Sequence, residues 1–134
     1  MPQRITKADI QSVLYEYPGL RKNGFTDNRR QPYGPDDCPE ERQEILQEHD
    51  RIDRVAKWLG GIDKIKSTNP RYNSYELKDF IEPECGFLSH GAMIVAAKLA
   101  GFRLSRIANS GKVRLNISEK SLKSKLRGTA RFPS

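Results

Sequence analysis

The chain reads as one mainly α domain of four or five helices with a C-terminal β-hairpin, in the manner of a winged helix-turn-helix. Three observations predict it. Residues 73–101 run NSYELKDFIE, PECGF and LSHGAMIVAAKLAG, two short helical patterns around a turn. Residues 102–117 run FRLSRI-ANSG-KVRLNI, two alternating stretches around a second turn. A length of 134 residues suits a single domain with a core that needs no disulfide staples. Within residues 1–134 the expected parts are an N-terminal helical region (1–20), a loop (21–38), a helical core with its hairpin (39–117) and a basic C-terminal segment (118–134).

The first helix is expected over residues 7–17. Thr6 can cap it, with Asp9 as the capping-box acid, and Ile5 and Ile10 occupy the positions of a hydrophobic staple. Ile10, Val13, Leu14 and Tyr17 share a face, and Pro18-Gly19 ends the helix. Residues 21–38 are rich in Gly, Pro, Asn and Asp and read as a loop, with Phe25 and Tyr33 as anchors to the core. A continuous helix is expected over residues 39–59. Pro39 suits its first position, Glu40, Glu41 and Glu44 its positive end, and Ile45, Ile52 and Leu59 its buried stripe. Gly60-Gly61 stops it.

Residues 62–72 form a connection in which Ile62 and Ile65 can add a turn of helix. The third helix is expected over 74–82, capped by Asn73 with Glu76, and closed by Pro83. The fourth is expected over 89–100, with Ser89 as its cap and Gly101 at its end. In the hairpin, Phe102 and Leu104 alternate with Arg103 and Ser105. Val113, Leu115 and Ile117 alternate with Lys112, Arg114 and Asn116, and residues 109–111 make the turn. One face is apolar and the other cationic. Residues 118–127 suit a short basic helix anchored by Leu122 and Leu126.

The formal net charge is +7 and the pI is about 9.6, a balance that favours an acidic partner. The charge is unevenly placed. From Lys98 to the end there are ten basic residues against Glu119 alone, whereas residues 36–54 hold eight carboxylates and three arginines. The first ten residues lack the apolar stretch of a secretory signal, and AMIVAAKLAGF is too short to span a membrane. A cytoplasmic protein with reduced thiols, Cys38 and Cys85, is expected.

No phosphate-binding glycine loop, dinucleotide fingerprint, zinc-protease motif or nucleophile elbow is present. Cys38, His49, Cys85 and His90 are potential metal ligands, but their C-x10-H and C-x4-H spacings lack a zinc hook, so no metal or other cofactor is expected. Cys85 with His90 would be a nucleophile and base only with an orienting acid that the spacing does not supply. Trp58 reads as partly buried core, and Tyr33, Tyr72 and Tyr75 with Arg71 as a stacking platform for single strands.

A non-enzymatic DNA-binding or nucleic-acid-binding protein follows. Arg103, Arg106, Lys112 and Arg114 would meet phosphates, and Ser89, His90 and Lys98 would approach the bases if the fourth helix enters a groove. The small apolar composition of AMIVAAKLA suits a central core helix equally, and the hairpin cations equally suit a solvated edge. The alternative function is a small protein–protein inhibitor or adaptor acting on a host complex through the acidic helix and the 21–38 loop. No membrane partner is expected.

Ser74, Tyr75, Leu77 and Lys78, followed by Ser89, Gly91, Ala92, Ile94, Ala96, Ala97, Gly101 and Phe102, make a segment that resembles small uncharacterised bacterial, phage and plasmid proteins. There a Ser-Tyr-x-Leu-Lys helix precedes a Ser-x-Gly-Ala-x-Ile-x-Ala-Ala helix ending in Gly-Phe. The resemblance covers about a third of the chain. It implies a bacterial or mobile-element origin and a cytoplasmic location, and it implies no activity; a phage or mobile-element regulator is the form expected of the nucleic-acid-binding function.

Overall fold

The computed structural model describes residues 5–17, 20–21, 24–25, 39–107 and 112–127, with the backbone alone at Arg21, Gly24, Phe25, Pro39, Glu41, Leu126 and Arg127. Among the described residues six helices and four short strands follow one another: α1 (Lys7–Glu16), β1 (Leu20–Arg21), β2 (Gly24–Phe25), α2 (Pro39–Gln47), α3 (His49–Gly60), α4 (Ser74–Cys85), α5 (His90–Leu99), β3 (Leu104–Arg106), β4 (Val113–Leu115) and α6 (Glu119–Arg127). The strands form two separate antiparallel pairs, β1 with β2 and β3 with β4.

The core is built around α5. Every residue from His90 to Ala97 is buried, and α1, α3 and α4 all pack on this one helix. Gly91, Ala92, Ala96 and Ala97 permit that enclosure, because small side chains let three neighbouring backbones approach. Ile10, Ile52, Val55, Leu59, Leu77 and Ile81 supply the bulk from the surrounding helices. Fully burying a Leu or Ile side chain is worth roughly 1.5–3 kcal/mol, so this shell is the main source of stability.

Local signals in the sequence place the helix starts. The capping boxes of Thr6 with Asp9 and of Asn73 with Glu76 are both formed. Ser89 accepts from the Ala92 amide at 3.2 Å, and Gly101 follows α5 with φ +92°, the left-handed backbone that glycine adopts without a Cβ penalty.

Four expectations are corrected. The helix expected over 39–59 is two helices, broken at Glu48 (φ −85°, ψ 16°). No Gly or Pro causes the break. Glu48 instead turns its carboxylate onto Ser89, accepting from the amide at 2.7 Å and from the hydroxyl at 2.6 Å. Pro83 does not close α4, which continues to Cys85 and ends at Gly86 (φ +86°), whose amide donates to the Glu82 carbonyl at 2.8 Å. Proline gives up a single N–H in the last turn, so the helix survives it. The loop expected over 21–38 opens with paired strands, Leu20 opposite Phe25 and Arg21 opposite Gly24. Residues 62–72 add no helical turn. They follow the end of the ribbon through bends, with Lys64 bridged to Ile117, the Ile65 amide donating to the Asn116 carbonyl at 2.8 Å and the Asn69 amide to the Leu115 carbonyl at 2.8 Å. Tyr33 and residues 108–111 of the hairpin turn lie outside the described residues.

α6 closes the lower side of the body. Ser118 accepts from the Ser121 amide at 3.2 Å, Leu122 is buried, and the Lys125 ammonium lies 4.6 Å from the centre of the Trp58 ring.

Candidate nucleic-acid interface

The ribbon of β3 and β4 is held in register by Leu104 opposite Leu115, Ser105 opposite Arg114 and Arg106 opposite Val113. Facing residues in an antiparallel pair share a side of the sheet. Arg103, Ser105, Lys112 and Arg114 therefore belong to one face, and Leu104, Val113 and Leu115 to the other. Arg106 falls by parity on the apolar side, and it is exposed at the rim of the core. Val113, Leu115 and Ile117 are fully buried, so the body fixes the direction in which the polar face points.

Sequence reasoning missed what lies beside that face. Lys66 comes beside the ribbon next to Arg103, whereas Lys64, bridged to Ile117 just beyond β4, shares that residue's apolar side. The Arg103 guanidinium donates to the Lys66 carbonyl at 3.1 Å, and the Asn116 side chain ties the Arg103 amide (2.6 Å) to the Ile65 carbonyl (2.9 Å). Lys64 sits with its ammonium 4.5 Å from the centre of the Phe102 ring. The available signal was the Lys64-Ile65-Lys66 triplet alone, which is too short to identify a third pairing segment. Further round, Glu119 is shared by Arg71 (3.1 Å), Lys123 (3.2 Å) and the Tyr72 hydroxyl (3.3 Å). The hydrogen bond from Lys123 holds the Glu119 carboxyl below its ordinary range, against the opposing effect of burial and with the help of the Arg71 charge. One carboxylate thus offsets two cations at this edge.

The three helix residues expected near bases are placed differently. Ser89 is buried and spends its hydroxyl on Glu48 and on the Ala92 amide. His90 is buried with Nε2 2.7 Å from the Ser74 hydroxyl, which also accepts from the Val113 amide at 3.0 Å. Lys98 lies at the far end of α5, 3.6 Å from Glu16 and over the Tyr17 ring. A hydrogen bond with Tyr17 raises its pKa above the usual lysine value. These three side chains do not gather on one exposed surface.

The residues considered for other chemistry are also resolved. Cys85 is buried, and burial raises its thiol pKa against the opposing effect of Arg54, whose guanidinium donates to the Cys85 carbonyl at 3.1 Å. His90 is engaged with Ser74. His49 donates to the Ile5 carbonyl, pinning the start of α1. Among the described residues, no group of three or more His, Cys, Asp or Glu side chains is placed to hold a metal ion. Cys38 lies outside them. Of the tyrosines expected to form a stacking platform, Tyr72 is buried edge-on to Phe80 at 5.9 Å, and Arg71 is paired to Glu119. Tyr75 is exposed, and Phe87 is exposed near it.

No helix of the described residues is long and apolar enough to cross a membrane. No family model, no curated protein and no solved structure matches the chain.

Proposed function

We propose that this is a non-enzymatic nucleic-acid-binding protein that grips the phosphate backbone with its ribbon and takes no sequence information from α5. The observation that carries the reading is the anchored cationic face: Arg103, Lys112 and Arg114 on one side of β3–β4, with Lys66 held beside Arg103 through its carbonyl. The backbone hydrogen bonds around Arg103 hold that arginine in position, so less side-chain entropy is lost when a phosphate arrives. A wing that contacts phosphates in this way positions a duplex without reading its bases. The winged helix-turn-helix likeness is then one of element order, with the second helix of the motif used as core. The resemblance of residues 74–102 to mobile-element proteins fits a cytoplasmic regulator or accessory protein.

The test is a titration of labelled duplex at rising salt. Each phosphate neutralised contributes roughly 0.9 to the slope of log affinity against log salt. Three or four contacts therefore predict a steep decline, and Arg103→Glu with Arg114→Glu lowers both the affinity and the slope. Salt-insensitive binding, or an unchanged slope in that variant, removes the reading.

A further inference from the structure

We infer that the cleft between α2, α3 and the α4–α5 turn is a nucleobase site for single-stranded nucleic acid. This rests on the polyanion reading above and deepens it to a substrate class. The cleft encloses about 680 Å³ and is lined by Glu44, Arg51, Tyr75, Lys78, Phe87 and His90, among others. Its two aromatic side chains face solvent: Phe87 is 65% exposed and Tyr75 46%. A large apolar ring left in water forgoes most of its burial free energy, and such exposure marks a contact surface.

The rings are fixed from behind. The buried Lys78 ammonium lies 5.2 Å from the Tyr75 ring centre and 5.1 Å from that of Phe87, and Glu82 balances its charge at 3.1 Å. His90 packs edge-on against Tyr75 at 5.6 Å. A stacking surface held this way needs little ordering when a base arrives. The lining carries both signs, Glu44 and Glu48 with Arg51 and Lys78, so the exposed rings rather than a net charge mark what enters. Continuity selects how the ligand lies. The Lys112 ammonium, on the cationic face of the ribbon, is 5.7 Å from the Tyr75 ring centre. A strand whose phosphates follow the ribbon can turn its bases toward Tyr75 and Phe87. A duplex keeps its base faces stacked and has none to offer.

The experiment compares a labelled mixed-sequence single strand with a duplex of the same length, titrated with the full chain. Tyr75→Ala with Phe87→Ala should lower single-strand affinity on the order of tenfold and leave duplex affinity within about twofold. Phe87→Trp should keep single-strand affinity, and its indole fluorescence should be quenched by the single strand but not by the duplex. Unchanged single-strand affinity in the double variant, an equal loss on both ligands, or no quenching overturns the cleft proposal. If the charge reversals at Arg103 and Arg114 still weaken both ligands, the ribbon reading survives that failure. If the wild-type chain binds neither ligand, the ribbon reading falls and the cleft proposal with it.

Discussion

α5 and the β3–β4 ribbon are neighbours in sequence and opposites in use. From His90 to Ala97 the chain is neutral or weakly polar and enclosed by three helices. In the ribbon Arg103, Ser105, Lys112 and Arg114 share one face, beside Lys66 from another segment. In a DNA reader of this element order the helix would do the reading and the wing would steady it. Here the helix is enclosed in the body, and the ribbon beside it carries exposed cations at Arg103, Arg106 and Lys112. Position in a motif does not assign a role; burial does.

Substitutions that treat the two regions alike should therefore give unlike results. The largest effect is expected from Ala96→Asp, which puts a carboxylate at a position with no solvent access. An unpaired buried charge costs several kcal/mol, on the order of the whole stability of a small domain, so urea denaturation should find little folded protein. Ser105→Asp, exposed on the ribbon, should stay within about 0.5 kcal/mol of wild type. Equal losses would erase the contrast.

Next in size is Glu48→Ala. The Ser89 amide and hydroxyl lose their shared carboxylate, and buried donors left unmatched cost roughly 1–3 kcal/mol. Urea midpoints should fall accordingly. A loss below about 0.3 kcal/mol would mean that the break between α2 and α3 has another cause.

Reactivity distinguishes the regions without altering them. Cys85 is buried in the body and its pKa is raised by that burial. Since the thiolate is the reacting form, alkylation at mildly alkaline pH should be on the order of 100-fold slower in native protein than in urea. Fast native alkylation would show that α4 opens at its end.

The smallest effect lies in the α6 edge. The folded pKa of Glu119 is depressed, so its ionised form adds stability above its ordinary value of 4.5, and that stability is lost as pH falls through the folded value. Glu119→Gln should make the acid-side decline in thermal midpoint shallower and leave the alkaline side unchanged. A decline of the same steepness would remove Glu119 from the linkage.

Much of the fold was legible because its signals are local. Thr6, Asn73 and Ser89 name the starts of α1, α4 and α5, and Gly101 names an end. The apolar alternation of Val113, Leu115 and Ile117 marks the buried side of the ribbon. What escaped depends on distant partners. Nothing near Glu48 marks a break, because its cause is Ser89, forty-one residues away. Lys64 and Lys66 read as part of a connection until Ile117 pairs with it. Of the stacking platform expected at Tyr33, Tyr72 and Tyr75 with Arg71, the fold buries Tyr72 and exposes Tyr75, and Tyr33 lies outside the described residues. Phe87 passed unnoticed because a phenylalanine between two helices reads as core, and its exposure is decided by the Gly86 turn that carries it.

The most direct measurement is an amide chemical-shift map of the isotope-labelled chain during titration with a short duplex. The account predicts shifts concentrated at residues 64–66, 103–106 and 112–116, with the amides of 90–97 unmoved. Shifts centred on residues 89–98 with a quiet ribbon would contradict it, because the enclosed helix would then be the contacting element.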